Sequence, residues 1–126
     1  MLSREEREKT FSEITQIKQR IVQIGVRIGE IHSRIGQARN DIEMDRDAMS
    51  EFREGLKESH RGSKRRGYEN EDAVNNYRSS IRNCQESIGN IQGKIDDLYE
   101  EKNRLLREKS ELYSRKDALY VKLQNR

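Results

Sequence analysis

The stretch ITQIKQRIVQIGVRIGEIHSRIGQARNDI, residues 14–42, decides the fold. Read in sevens, it puts Ile14, Ile21, Ile28, Ile35 and Ile42 at heptad position a, with Ile17, Ile24, Ile31 and Ala38 at d. Apolar residues alternately three and four apart fall on one face of an α-helix, and such a repeat held beyond three or four heptads argues a coiled coil. The register continues through Met49 and Leu56 at a and Phe52 at d, and only Asp45 breaks the stripe. Upstream, Ser3 stands three residues before Glu6, with Glu5 and Glu8 nearby. A serine there can cap a helix whose acidic first turn meets the positive end of the dipole. A first helix is therefore expected over residues 4–57.

The heptads fade into ESHRGSKRRGYENED, residues 58–72, where Gly62 and Gly67 punctuate a polar run. A basic bend is expected over 58–70. The pattern resumes with Val74, Ile81, Ile88 and Ile95 at a, and Tyr77, Cys84, Ile91, Leu98, Leu105, Leu112 and Leu119 at d. A second helix over 71–124 follows. Neither arm can bury its stripe alone, and a short connection favours antiparallel neighbours. The expected fold is all-α: a long antiparallel helical hairpin or coiled coil, a single domain over 1–126.

With the bend at 63–67, Ile14 comes to lie near Leu119 and Ile21 near Leu112. Toward the termini the second arm's a row changes to Lys102, Lys109 and Lys116 before closing at Leu123. These lysines face Ile31, Ile24 and Ile17, so the terminal half of the seam is expected to be poorly sealed. Tyr99, Leu106, Tyr113 and Tyr120 recur at e beside the d row and widen the apolar face beyond what one partner helix covers. Self-association into an oligomeric helical bundle, or docking of another protein, is expected near the termini. The residues for it are Leu98, Tyr99, Leu105, Leu106, Leu112, Tyr113, Leu119 and Tyr120. Six glycines inside the arms, Gly25, Gly29, Gly36, Gly55, Gly89 and Gly93, mark either tolerated surface positions or a place where a further helix comes close.

Composition narrows the function. Charged residues make up 39% and hydrophobic ones 31% of 126 residues, with no Pro and no Trp, which disfavours a large globular core. No run approaches the roughly 20 apolar residues of a membrane span, and the first residues lack the apolar centre of a secretory signal. The expectation is a cytoplasmic chain with no integral membrane contact. The single Cys84 excludes an internal disulfide and, lying on the stripe, reads as a small buried hydrophobe. His32 and His60 are too few and too far apart to form a metal site with it. There is no phosphate-cradling GxxxxGK[ST] loop and no GxSxG elbow. Carboxylate pairs such as Asp96/Asp97 sit on solvated flanks, whereas general acid–base work needs a partly desolvated cleft. No enzyme, cofactor or metal is expected.

The net charge of +3 is concentrated in one place. Residues 57–67 carry Lys57, Arg61, Lys64, Arg65 and Arg66 against Glu58, a net of +4, so the rest of the chain is close to neutral. These five side chains form the candidate anion-binding set, with Tyr68 available to stack on a base. The leading reading is a nonenzymatic protein-interaction or assembly factor, a rigid rod, adaptor or spacer that associates with itself or a partner protein near the termini. The alternative is a nucleic-acid-associated regulatory protein that contacts phosphates through the basic bend. Contact with anionic lipid through the same charges is a third, weaker reading.

Overall fold

The computed structural model describes residues 2–125. Two α-helices, α1 (Arg4–Arg66) and α2 (Glu71–Gln124), run antiparallel as a hairpin. Ser3 caps α1: its Oγ accepts a hydrogen bond from the Glu6 N–H at 3.1 Å, and its carbonyl accepts one from Arg7 at 3.0 Å. Asn70 does the same for α2, with Oδ1 accepting from Ala73 N–H and its carbonyl from Val74 N–H, both at 3.1 Å. Both arrangements satisfy amide donors that a helix start leaves without an internal partner.

The first helix runs nine residues past the expected end at 57, so the bend is 67–70 rather than 58–70. Helix is favoured across 58–66 because Lys64, Arg65 and Arg66 fall in the last turn, beside the carbonyls at the negative end of the dipole. Glu58 also pairs with Arg61 one turn on. Gly62 stays helical, and the Arg66 guanidinium lies over the space a side chain there would fill. Gly67 ends the helix with φ +81°, a left-handed conformation that glycine adopts without steric cost, and its N–H donates to the Ser63 carbonyl at 2.9 Å.

The hairpin divides into two compact units: a terminal unit of residues up to Ser33 and from Leu98, and a turn unit, Arg34–Asp97. In the terminal unit, Ile14, Ile17 and Leu119 form a buried cluster against which Ile21, Leu112, Tyr120 and Leu123 pack half-buried. Thr10 continues this seam toward the N-terminus. It is 3% exposed, and its hydroxyl donates to the Glu6 carbonyl at 2.8 Å, so its burial leaves no polar atom unsatisfied.

The lysine layers differ from expectation. Ile24 and Ile31 retain no exposed surface at all, although the register sets Lys109 and Lys102 across from them. Those lysines are half-buried, as is Lys116. The amines of Lys109 and Lys116 stand 5.9 and 4.7 Å from the Tyr113 ring centroid. The methylene stems can therefore cover isoleucine while the charges rest on an aromatic face. The seam is sealed.

In the turn unit Ile35, Ile42, Val74 and Cys84 are buried. Asp45, the one polar intrusion at d, is half-buried and accepts a 2.6 Å hydrogen bond from the Ser87 hydroxyl of the facing helix. At Gly55 the Tyr77 ring occupies the place of a side chain. Here the glycine lets an aromatic lie against the backbone of the opposite helix.

Candidate functional site

In the terminal unit the two sides of the helix pair have opposite chemistry. One side carries heptad position g of both helices. There Glu13 accepts from Arg115 Nε at 3.0 Å, and Arg20 donates two bonds to Glu108 at 2.8 and 2.9 Å. Arg27 likewise donates two to Glu101, at 2.7 and 2.9 Å. Two parallel N–H···O bonds fix the guanidinium and carboxylate planes together. Arg20's hydrogen bonds, helped by its charge, hold the Glu108 carboxyl below its ordinary range, and Arg20 and Arg27 are shifted upward by their carboxylate partners. Since folding lowers Glu108's pKa, what this pair adds is complete above the ordinary glutamate range. It is lost as pH falls through the depressed value.

These three pairs select the register. A slip of one heptad in either direction sets like charges opposite each other at one or more g positions, Arg20 against Arg115 in one direction and Arg27 against Lys94 in the other. Exposed pairs contribute little to stability, so their effect is chiefly to penalise wrong alignments. Composition and the a/d rows do not reveal them. The signal was in the opposite signs of Glu13, Arg20 and Arg27 against Arg115, Glu108 and Glu101.

The opposite side carries position e of both helices, as the Lys18 amine 5.6 Å from the Tyr120 ring centroid shows. Of the eight residues expected at an interaction face, Tyr99, Leu106 and Tyr113 stand here 37–43% exposed. Leu98, Leu105, Leu112 and Tyr120 are half-buried. Leu119, at 2% exposure, belongs to the core instead. The first helix adds residues that periodicity alone passed over: Phe11, Val22 and Val26, each more than half exposed. They lie off the a/d stripe, and only the rarity of charge around them distinguishes them in the sequence.

The basic residues are not gathered in a loop. Helical spacing puts Lys57, Arg61 and Lys64 on one face of α1, Arg65 beside it, and Arg66 on the other side. Lys57 pairs with Glu54 at 3.3 Å and Arg61 with Glu58. Arg66 lies 5.4 Å from the Tyr68 ring centroid. Lys64 and Arg65 form no ion pair among the described residues. His60 Nδ1 lies 2.8 Å from Glu69 Oε1 and ties the end of α1 to the turn.

Among the described residues, no three His, Cys, Asp or Glu side chains come together as metal ligands would, and no helix is long and apolar enough to cross a membrane. Cys84 is buried and unbridged. Comparison with protein-family models, with curated proteins and with solved structures finds no match.

Proposed function

We propose that this chain is a nonenzymatic assembly factor, an adaptor or spacer whose terminal unit docks other helices into an oligomeric bundle, and that it works in the cytoplasm. The observation that carries this is the imbalance between the helices. In the terminal unit α1 buries four isoleucines, Ile14, Ile17, Ile24 and Ile31, whereas α2 buries only Leu119 and leaves Tyr99, Leu106 and Tyr113 37–43% exposed. A helix whose apolar stripe is broader than its partner can cover is suited to a further helix on that side.

Light scattering on the full chain tests it, with Leu106→Glu/Tyr113→Glu as the comparison. Twice the 14.9 kDa chain mass or more for the wild type, and a lower mass with unchanged helicity for the variant, is expected. A benzoylphenylalanine at position 106 in cells extends the test to foreign partners. A wild-type mass of 14.9 kDa at every concentration, together with no photo-cross-linked protein, would overturn the proposal.

The nucleic-acid reading is favoured only by Lys64 and Arg65, which among the described residues have neither an ion pair nor an aromatic contact, and by Tyr68, 65% exposed beside them. Two phosphate contacts predict a shallow salt dependence, a log–log slope of about −1.4 on single strands. Under the assembly reading, fluorescence anisotropy with a single-stranded oligonucleotide at low salt shows no binding that Lys64→Glu/Arg65→Glu removes.

A further inference from the structure

Between Phe11 and Ser33, the e, b and f positions of α1 form a face beside the intrachain seam, and every one of them is exposed. In a chain that is 39% charged, Lys18 is the one Lys, Arg, Asp or Glu among these eleven positions. Its amine is drawn aside to the Tyr120 ring of its own α2. Phe11, Val22 and Val26 stand out from this face at 52, 66 and 60% exposure, and at Gly25 and Gly29 the space a side chain would take is empty. Ile21 and Ile28, next to it at a, are only half-buried by α2. The a row beside this face is thus left partly open to solvent. A solvated flank has no reason to lose its charges while keeping three large apolar side chains.

We infer that this face receives a second copy of the chain, its α1 laid antiparallel across it about a two-fold axis at the level of Arg20. The inference rests on the assembly reading above and supplies its partner and geometry. A two-fold contact must be complementary to itself, and this one is. With the axis at Arg20, Phe11 of one copy meets the gap at Gly29 of the other, Thr15 meets Gly25, and the Lys18 stem lies along Val22. One turn further out Glu8 comes opposite His32, an acidic group facing an imidazole. Bulk meets empty space and no like charges are opposed.

The second helix supports the same axis independently. The register of the hairpin puts Arg20 level with the stretch between Glu108 and Leu112. A two-fold axis passing between Lys109 and Ser110 brings Leu106 opposite Tyr113 of the other copy and Tyr99 opposite Tyr120. One axis therefore pairs the apolar e row of α2 with itself and fits the contours of α1, making a four-helix bundle of two terminal units. A heterologous partner would owe this chain no such agreement between the two helices.

Two experiments on the full chain test this. In light scattering, Gly25→Gln/Gly29→Gln is expected to weaken dimerisation at least tenfold. These substitutions add helix-favouring side chains into open space, so the hairpin itself is not harmed. The matched control Gly89→Gln/Gly93→Gln, also in open space, is expected to leave the mass unchanged. In the second experiment Lys18→Cys and Val22→Cys are made separately on a Cys84→Ser background, mixed and oxidised. The mixture is expected to give a covalent dimer containing one chain of each kind, at least tenfold more than either variant alone. A dimer mass that Gly25→Gln/Gly29→Gln does not lower, or a mixture that cross-links no better than its components, overturns the inference. Assembly in some other geometry would then survive if the wild type still exceeds the mass of one chain. A wild type that stays monomeric yet photo-cross-links to another protein from position 106 sinks the inference and spares the adaptor reading.

Discussion

Ile24→Ala is expected to lower the unfolding free energy by about 2–3 kcal/mol, toward the lower end of the usual range for truncating a buried isoleucine. Ile24 retains no exposed surface, so the full transfer term is lost with the removed methyl and methylene groups. The cavity term is smaller than in a globular core. The residue set across from Ile24 is Lys109, an unbranched half-buried side chain that can settle into the gap. Ile31→Ala, facing Lys102, is expected to behave alike. The same truncation at Met44, 69% exposed in the turn unit, is expected to stay within about 0.5 kcal/mol of the wild type. Urea unfolding followed by circular dichroism at fixed protein concentration measures all three. Equal losses at Ile24 and Met44 would mean that the lysine layers do not exclude water.

This test bears on a point where sequence reasoning fell short. Lys102, Lys109 and Lys116 at a read as defects because hydropathy assigns one value to a whole side chain. In the structure all three lysines are half-buried, and Tyr113 gives the amines of Lys109 and Lys116 an aromatic face to rest on, as expected of stems that cover apolar surface while the charge stays outside. Tyr113 stands four residues after Lys109 and three before Lys116 on the same helix, so those contacts follow from helical spacing; the full burial of Ile24 and Ile31 opposite the lysines does not.

Other features were legible for physical reasons that can be named. The run from Ile14 to Ile42 repeats long enough to define one face without help from tertiary context, and Ser3 carries a short acceptor where a helix start needs one. The end of α1 was harder to place. Gly62 and Gly67 are equivalent in composition, and only backbone geometry separates them: Gly67 has a left-handed φ, whereas Gly62 continues the helix. The basic residues between them read as a solvated loop because the pull of helix-end carbonyls on cations is invisible until the end is known. The exposed apolar face was half legible. Tyr99, Leu106 and Tyr113 stood out by their sevenfold spacing on α2, but their counterparts on α1 were marked by missing charge rather than by a run of apolar residues.

Gly55→Ala separates two effects of opposite sign at one position. In a helix interior, alanine in place of glycine stabilises by about 1 kcal/mol, since it removes backbone freedom from the unfolded chain. At Gly55 a Cβ would fall 2.6 Å from the Cζ of Tyr77 and 3.0 Å from its hydroxyl oxygen, well inside contact distance. A ring cannot fold away from such a contact as the end of a lysine can, so Tyr77 must move as a whole or the helices must part. Overpacking of this kind costs about 1–3 kcal/mol. Relief of the clash by shifting Tyr77 also takes the ring off its half-buried site, which puts the cost in the upper part of that range. The net expectation is a loss of about 1–2 kcal/mol, the reverse of the gain that helix propensity alone predicts. The cycle with Tyr77→Leu identifies the cause. With the ring removed, alanine at position 55 is expected to stabilise relative to glycine by most of the propensity difference, so the two substitutions should couple by 2 kcal/mol or more, roughly the sum of the reversed sign and the recovered gain. Additive effects in that cycle would show that Tyr77 does not hold the turn unit together through this contact.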